Sequence, residues 1–242
     1  MRLKITLDLT DKKIPVKYNS LLQGMIYYTF IDNPKVDKLH SEGFKIDKRK
    51  FKLFTFSEIY GDSTFLPDTK ELLFHGYGAF ELASAKDDLI LSTIEFLRNN
   101  RKVILGNQIV NVNSFSILSE NIDDKVSEVY YTISPVTAYK TLENKKTMYI
   151  HPNDSEFDDY IIKNLSKKYF LMFNENMPAI QIINKSNIKE KKIFFRDTWC
   201  IAYHLTIEFN NLTEKVKKTI LCCGIGSKNS IGLGMLSQKI IK

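Results

Sequence analysis

The segment GIGSKNSIGLGM, residues 224–235, holds Gly224, Gly226, Gly232 and Gly234, four of the chain's ten glycines, around Lys228, Asn229 and Ser230. Glycine is favoured where the backbone takes a positive φ or where another molecule touches the main chain. Two glycine pairs around a polar, basic centre suit a loop whose N–H groups form a nest for phosphate oxygens. Neither familiar nucleotide motif fits. A P-loop needs Gly-Lys-Ser/Thr after its spacer, and Lys228 is followed by Asn229. A dinucleotide fingerprint needs glycine at 229 and a preceding strand, whereas Leu212 to Cys222 reads as a helix. A second reading stands beside the phosphate loop: a helix C-cap followed by a strand with two bulge glycines.

The charge balance points towards a phosphate-rich partner. The chain has 242 residues, 35 Lys and Arg against 28 Asp and Glu, for a net +7, and an isoelectric point near 9.1. Basic residues cluster at Lys45, Lys48, Arg49, Lys50 and Lys52, at Lys185, Lys189, Lys191 and Lys192, and at Lys215, Lys217 and Lys218. Each cluster alone reads as a solvated face or loop tip; three together favour an anionic ligand. Cys200, Cys222 and Cys223 are odd in number and contain no CxxC, so neither a disulfide framework nor a zinc site is expected. His40, His75, His151 and His204 lack ligand spacing, so no metal and no cofactor is expected. The opening MRLKITLDLT alternates where a signal peptide would run apolar, and no stretch approaches 18 apolar residues. The expected setting is reduced and cytoplasmic, with no membrane partner.

Residues 3–9 alternate as a half-buried strand, and residues 18–31 read as a helix with Asn19 or Ser20 placed to cap it. Asn33-Pro34 opens a short helix carrying His40. Residues 51–59 and 71–82 read as strands, and Ser84 with Asp87 resembles a capping box for a helix with Leu89, Ile90, Ile94 and Leu97 inward. Strands follow, then a polar, acidic linker over 119–128. Beyond it, 129–139 is a strand, SEFDDYIIKNLSKKYF a helix, AIQIIN and KKIFFRDTWCIAYHLTIEF strands, Leu212 to Cys222 a helix and MLSQKII a closing strand. The aromatics of the strand patterns, Phe51, Phe54, Phe56, Phe194, Phe195 and Trp199, are expected mostly in the core. Each half therefore reads β-α-β-β-α-β. The expected fold is α+β, with two tandem ferredoxin-like domains at 1–120 and 126–242. This is the architecture of a common RNA platform.

Four stretches carry a family resemblance. The glycine segment, LLQGMIYYTF at 21–30, LHSEGFK with KFKLFTFS at 39–57, and SPVTAY at 134–139 resemble the CRISPR-associated endoribonucleases that cut precursor CRISPR RNA within its repeats, the Cas six family of the RAMP superfamily. The resemblance spans nearly the whole chain. It implies metal-independent attack by the ribose 2′-hydroxyl, leaving a 2′,3′-cyclic phosphate and a 5′-hydroxyl. It implies a catalytic set of Tyr27, as base or 2′-hydroxyl positioner, His40 as general acid and Lys52 as electrostatic stabiliser. Tyr28 adjoins Tyr27, and Lys45 or Lys50 could replace Lys52. The implied RNA contacts are Lys228, Asn229 and Ser230 with the four glycines, and Lys48, Arg49 and Lys50. In this setting the glycines could instead pack between the two domains. The implied partner is CRISPR repeat RNA, with an effector complex as a further partner and a monomer or homodimer as the working form. The alternative is a catalytically silent relative that binds repeat RNA or serves as an effector subunit.

Overall fold

The computed structural model describes residues 1–30, 33, 43–46, 49–119 and 128–238. The first half contains β1 (Arg2–Asp8), β2 (Lys13–Pro15), α1 (Asn19–Tyr28), β3 (Phe44–Ile46), β4 (Arg49–Phe51), β5 (Phe54–Phe56), β6 (Tyr60–Leu66), β7 (Glu71–Ser84), α2 (Asp87–Asn99), β8 (Lys102–Leu105) and β9 (Gln108–Ile117). The second contains β10 (Val129–Thr132), β11 (Tyr139–Thr141), β12 (Thr147–Tyr149), α3 (Ser155–Phe173), β13 (Gln181–Phe195), β14 (Thr198–Asn210), α4 (Glu214–Cys223) and β15 (Leu236–Ser237).

In the first sheet β1 lies between β7 and β9, and β5 and β6 line β7. In the second, the order is β13-β14-β10-β15. Numbering only the four core strands of each half (β1, β5 with β6, β7 and β9; β10, β13, β14 and β15), both sheets run 4-1-3-2 with antiparallel pairings, and the first adds β2 on β7 and β8 on β9. That is the ferredoxin-like order, reached twice. Alternation explains β1: Leu3, Ile5 and Leu7 are buried, while Lys4, Thr6 and Asp8 are half-exposed. They pack with Leu22, Met25 and Ile26 of α1 and Leu89, Ile90 and Leu97 of α2. The second core joins Tyr130, Phe157, Ile161, Leu165, Ile207 and Ile220.

Several local expectations change. Asn19 does not cap α1; it lies inside the helix, and its Nδ2 donates to Ile231 O at 2.9 Å. Ser84 ends β7 and accepts from Lys86 N at 3.0 Å, so no capping box forms with Asp87. The 51–59 strand is shorter, at Phe54–Phe56, because Leu53 takes a positive φ of 51° and breaks it. The 129–139 strand stops at Thr132, and Tyr139–Thr141 pairs instead with Thr147–Tyr149. Trp199 is 53% exposed, unlike buried Phe51, Phe54 and Phe56. His40, Lys48, the Arg49 side chain, most of the acidic linker and residues 239–242 lie outside the described residues. No helix among the described residues is long and apolar enough to cross a membrane.

The glycine segment is the seam between the sheets. Gly224 caps α4 with φ 67°, as the C-cap reading has it, but a 3₁₀ turn over Asn229–Ile231 follows in place of a bulged strand. A Cβ on Gly232 would meet the Phe56 ring at 2.3 Å, and one on Gly234 would meet Ile225 O at 2.0 Å. Both residues also have positive φ, 81° and 77°. Gly234→Ala should therefore lower unfolding free energy by about 3 kcal/mol, from overpacking plus backbone strain. Gly24→Ala is the control: nothing lies within 4 Å of its Cβ position. In the middle of α1 it should stabilise by ~0.5–1 kcal/mol. Chemical denaturation of both variants checks the opposite signs.

Candidate active site

Helix α1 turns the adjacent tyrosines to different environments. Tyr28 is exposed, its ring edge-on to Phe96 at 5.5 Å. Tyr27 points inward, edge-on to Phe30 at 5.4 Å and Phe54 at 5.9 Å. Its hydroxyl accepts a hydrogen bond of 2.8 Å from Lys52 Nζ, which also lies 4.9 Å from the ring centroid. The short link between β4 and β5 places Lys52 there, ahead of the turn at Leu53.

Burial dominates the electrostatics of this pair. It pushes the Tyr27 phenol up to about 12, against an opposing pull from the Arg196 guanidinium. The same loss of solvent, followed by the charges of Arg196 and Lys50, holds Lys52 below the ordinary lysine range. Arg196 is a residue that sequence reasoning missed. It stands at the tip of the β13–β14 hairpin, where Arg196 and Asp197 both take positive φ, 44° and 61°. Two left-handed residues match the twist of a two-residue hairpin but are unusual without glycine or asparagine. The tip brings a cation of the second half to a tyrosine and lysine of the first.

Lys52 lines a cavity of about 370 Å³ with Lys50, Phe54, Tyr139, Lys168 and Lys228, among others. Gly226 through Ser230 form part of its wall, and no Asp or Glu among the described residues lines it. The structure therefore brings Tyr27, Lys50, Lys52 and Lys228–Ser230 into one region. The glycines serve chiefly as packing: all four are buried, and only Gly226 lines the cavity. Asn229 Nδ2 donates to Ile225 O and Leu233 O, both at 2.9 Å, closing the loop on itself. Lys228, with φ 58°, points its Nζ to Cys200 Sγ at 3.1 Å and lies 5.4 Å from the Tyr139 ring centroid. The other two basic clusters are largely engaged. Lys185 pairs with Asp158, Lys191 with Glu58 at 2.6 Å and Lys215 with Glu175 at 2.7 Å, while Lys217 is buried. Among the described residues, no three His, Cys, Asp or Glu side chains group as a metal site.

Beneath the loop lies Lys168 of α3, 2% exposed. Its Nζ donates to Gly224 O at 2.8 Å and Gly226 O at 3.0 Å. Burial drives its ammonium down to about 7. Above that pH the unfolded chain, with an ordinary lysine near ~10.4, binds a proton that the folded chain does not. The burial cost is thus fully felt below the folded value and disappears as pH rises towards the unfolded one. The melting temperature of the wild type should climb relative to that of Lys168→Met between roughly pH 7 and pH 10. A constant difference across that window would contradict it.

The known proteins that this chain resembles bear on what the arrangement does. The family model for the C-terminal region of CRISPR associated protein Cas6 matches residues 118–238. The protein named CRISPR-associated endoribonuclease Cas6 1 of Methanocaldococcus jannaschii is 25% identical over 98% of this chain and 92% of its own length. Cas6 2 of the same organism is 24% identical over 98% and 99%. Among solved structures, a Cas6-related protein from Pyrococcus furiosus superposes with a TM-score of 0.82 at 20% identity, covering 98% of this chain and 97% of the other. A RAMP protein described as binding different RNA substrates also gives 0.82 at 20% identity, covering 98% of each chain. These structures share the fold built here from strand order. With half of its residues matched by the family model, the chain belongs to the Cas6 family.

Proposed function

We propose that this chain is a metal-independent endoribonuclease that cuts CRISPR precursor RNA within its repeat. The observation that carries the reading is the 2.8 Å contact between Lys52 Nζ and Tyr27 Oη, beside a cavity lined by lysines and, among the described residues, by no carboxylate. Such a site attracts a phosphodiester and holds its charge. The two relatives named as CRISPR-associated endoribonucleases match along nearly the whole chain, which supports the same substrate class.

RNA supplies its own nucleophile. The 2′-oxygen attacks the adjacent phosphorus, the bond from phosphorus to the 5′-oxygen breaks, and the products are a 2′,3′-cyclic phosphate and a 5′-hydroxyl. Tyr27, a phenol throughout the neutral range, holds the 2′-hydroxyl in line, and that proton leaves to water. Lys52 and Arg196 balance the charge growing on the phosphorane oxygens. His40, assigned by the family resemblance, protonates the departing 5′-oxygen. General acid catalysis and a positioned cation each contribute ~10²–10³-fold. The proposed division has the first domain, 1–120, carrying the chemistry and the second, 126–242, gripping the strand, with the Lys228–Ser230 wall facing RNA. The proposed setting is cytoplasmic, and an effector complex is a further proposed partner.

Incubation of the protein with the repeat RNA of its own genome, in EDTA, followed by end mapping, tests the reading. One cut with a cyclic phosphate is expected. Lys52→Ala and His40→Ala should each lose ~10²-fold or more. Tight binding without a cut would favour the silent RNA-binding alternative. The pH profile separates Arg196 from a mere surface charge. Lys52 must stay protonated, so in His40→Ala, where no imidazolium limb intervenes, the residual rate falls as pH rises through the lowered Lys52 pKa. Arg196→Met removes a like charge, raises the Lys52 pKa, and should move this alkaline limb to higher pH while slowing the reaction. An unmoved limb would remove Arg196 from the site.

A further inference from the structure

The inward face of α3 is apolar through Phe157, Ile161, Leu165 and Tyr169, and is broken by Asn164 and Lys168 one turn apart. Burying polar groups is unfavourable unless they find partners. Lys168 has them, in the two carbonyls of the glycine segment. Asn164, 4% exposed, does not: its Oδ1 makes no hydrogen bond. Asn164 also lines the cavity that holds Lys52 and the Lys228–Ser230 wall. An unpartnered amide retained at such a place points to a ligand that completes it.

The lining separates by chemistry. Lys50 is exposed, and Lys52 and Lys228 are half-exposed, which puts cationic groups at the rim. Buried Phe51, Leu53 and Phe54 give an apolar side, and Tyr139 offers a half-buried ring. Asn164 lies at the buried end with its Oδ1 shut from solvent, so a turn of the amide about its last torsion brings that oxygen to a ligand, while two of the N–H groups of Lys168 are directed to carbonyls. A phosphate suits the rim and finds little at the buried end. A flat heterocycle with hydrogen-bonding edges suits both the apolar wall and the amide. The volume, about 370 Å³, falls within the ~300–1,000 Å³ range of small-ligand pockets.

We infer that this cavity is a nucleobase pocket, in which one base adjoining the scissile phosphate leaves the RNA stack and is read by the Asn164 amide. The inference rests on the endoribonuclease reading for the position of that base, and deepens it by naming a specificity-determining residue. Asparagine offers one donor and one acceptor side by side, the pairing that adenine meets with its amino group and adjacent ring nitrogen. Withdrawal of the base would also bend the backbone next to it, as in-line attack requires.

The test is a cycle between base and side chain. Repeat RNAs carrying an abasic ribose at each position around the cut are cleaved by the wild type and by Asn164→Leu. At one position the wild type should lose about tenfold in kcat/KM, the size of one base contact. Asn164→Leu should lose the same factor on intact RNA and nothing more on that abasic RNA. Where the responsive base is adenine, replacing it with purine, which lacks the amino group, should reproduce most of the abasic loss in the wild type. Asn164→Asp, which keeps shape and polarity, serves if the leucine variant melts early, and should show the same loss of discrimination. Losses that multiply at every position, or wild-type discrimination in both variants, would overturn the pocket. If the wild type leaves the intact repeat uncut, the endoribonuclease reading fails, and the same cycle read by equilibrium binding decides the pocket by the same criteria.

Discussion

The close fit of the glycine segment between the two sheets is the constraint on which the site depends. Gly232 lies on the Phe56 ring, Gly226 lies against Thr137 O and Gly234 against Ile225 O, at separations where no side chain fits. Backbone carbonyls brought this near to neighbouring elements become acceptors for them. Thr55 Oγ1 donates to Leu233 O at 3.0 Å, Asn19 Nδ2 to Ile231 O at 2.9 Å and Gln23 Nε2 to Ser230 O at 2.6 Å. Those donors come from β5 and α1, the elements flanking Lys52 and carrying Tyr27. The loop and the Tyr27–Lys52 pair are therefore positioned by the same bonds. A buried pair between Arg2 and Glu81 at 2.6 Å, with Arg2 also donating to Leu236 O at 2.9 Å, ties β1 and β7 to β15 at the end of the loop.

The price of this arrangement is electrostatic. Burial disfavours the charged form of Lys52, and Arg196 and Lys50 disfavour it further. Like charges gathered around this cavity repel one another and are relieved when an anion enters. Cations fixed in advance stabilise developing charge without reorganising when it appears. The same burial keeps Tyr27 protonated. That state suits a group that orients a hydroxyl and argues against one that removes its proton near neutral pH.

The repeated strand order was legible because alternation and helical periodicity are local. Which reading of the glycines holds was not, because both a nest and a packed seam require the same residue. The structure divides the segment, with buried glycines and a half-exposed Lys228–Ser230 crest. Tyr27 could be separated from Tyr28 only by knowing which face of α1 meets Phe54. Counting basic runs overstated the free charge, since Lys185, Lys191 and Lys215 meet carboxylates distant in sequence. The exposed Trp199 looked like core because its strand alternates, but it lies beside the hairpin tip, with Lys17 Nζ 5.1 Å from its ring centroid. Arg196 left one trace: an Arg-Asp turn between aromatic strands, where glycine or asparagine is the usual choice. Asn164 and Lys168 left another, as polar residues one turn apart on a helical stripe that is otherwise apolar.

The two sheets have the same core order but expose different groups to the cavity. In the first half the segment between β4 and β5 ends at Leu53, whose positive φ turns the chain and leaves Lys52 facing the cavity. That geometry presents side chains, and side chains carry protons and charge. In the second half the glycine segment presents backbone, and α3 must neutralise the carbonyls turned inward, which Lys168 does. A helix already committed to placing a polar residue beneath the loop can place another one turn earlier with little rearrangement. Asn164 occupies that position and lines the same cavity as Lys52. In the proposed reading, chemistry and recognition are split between the halves because a single ferredoxin-like sheet has one such edge, and two sheets meeting across a glycine seam offer two edges to one strand of RNA.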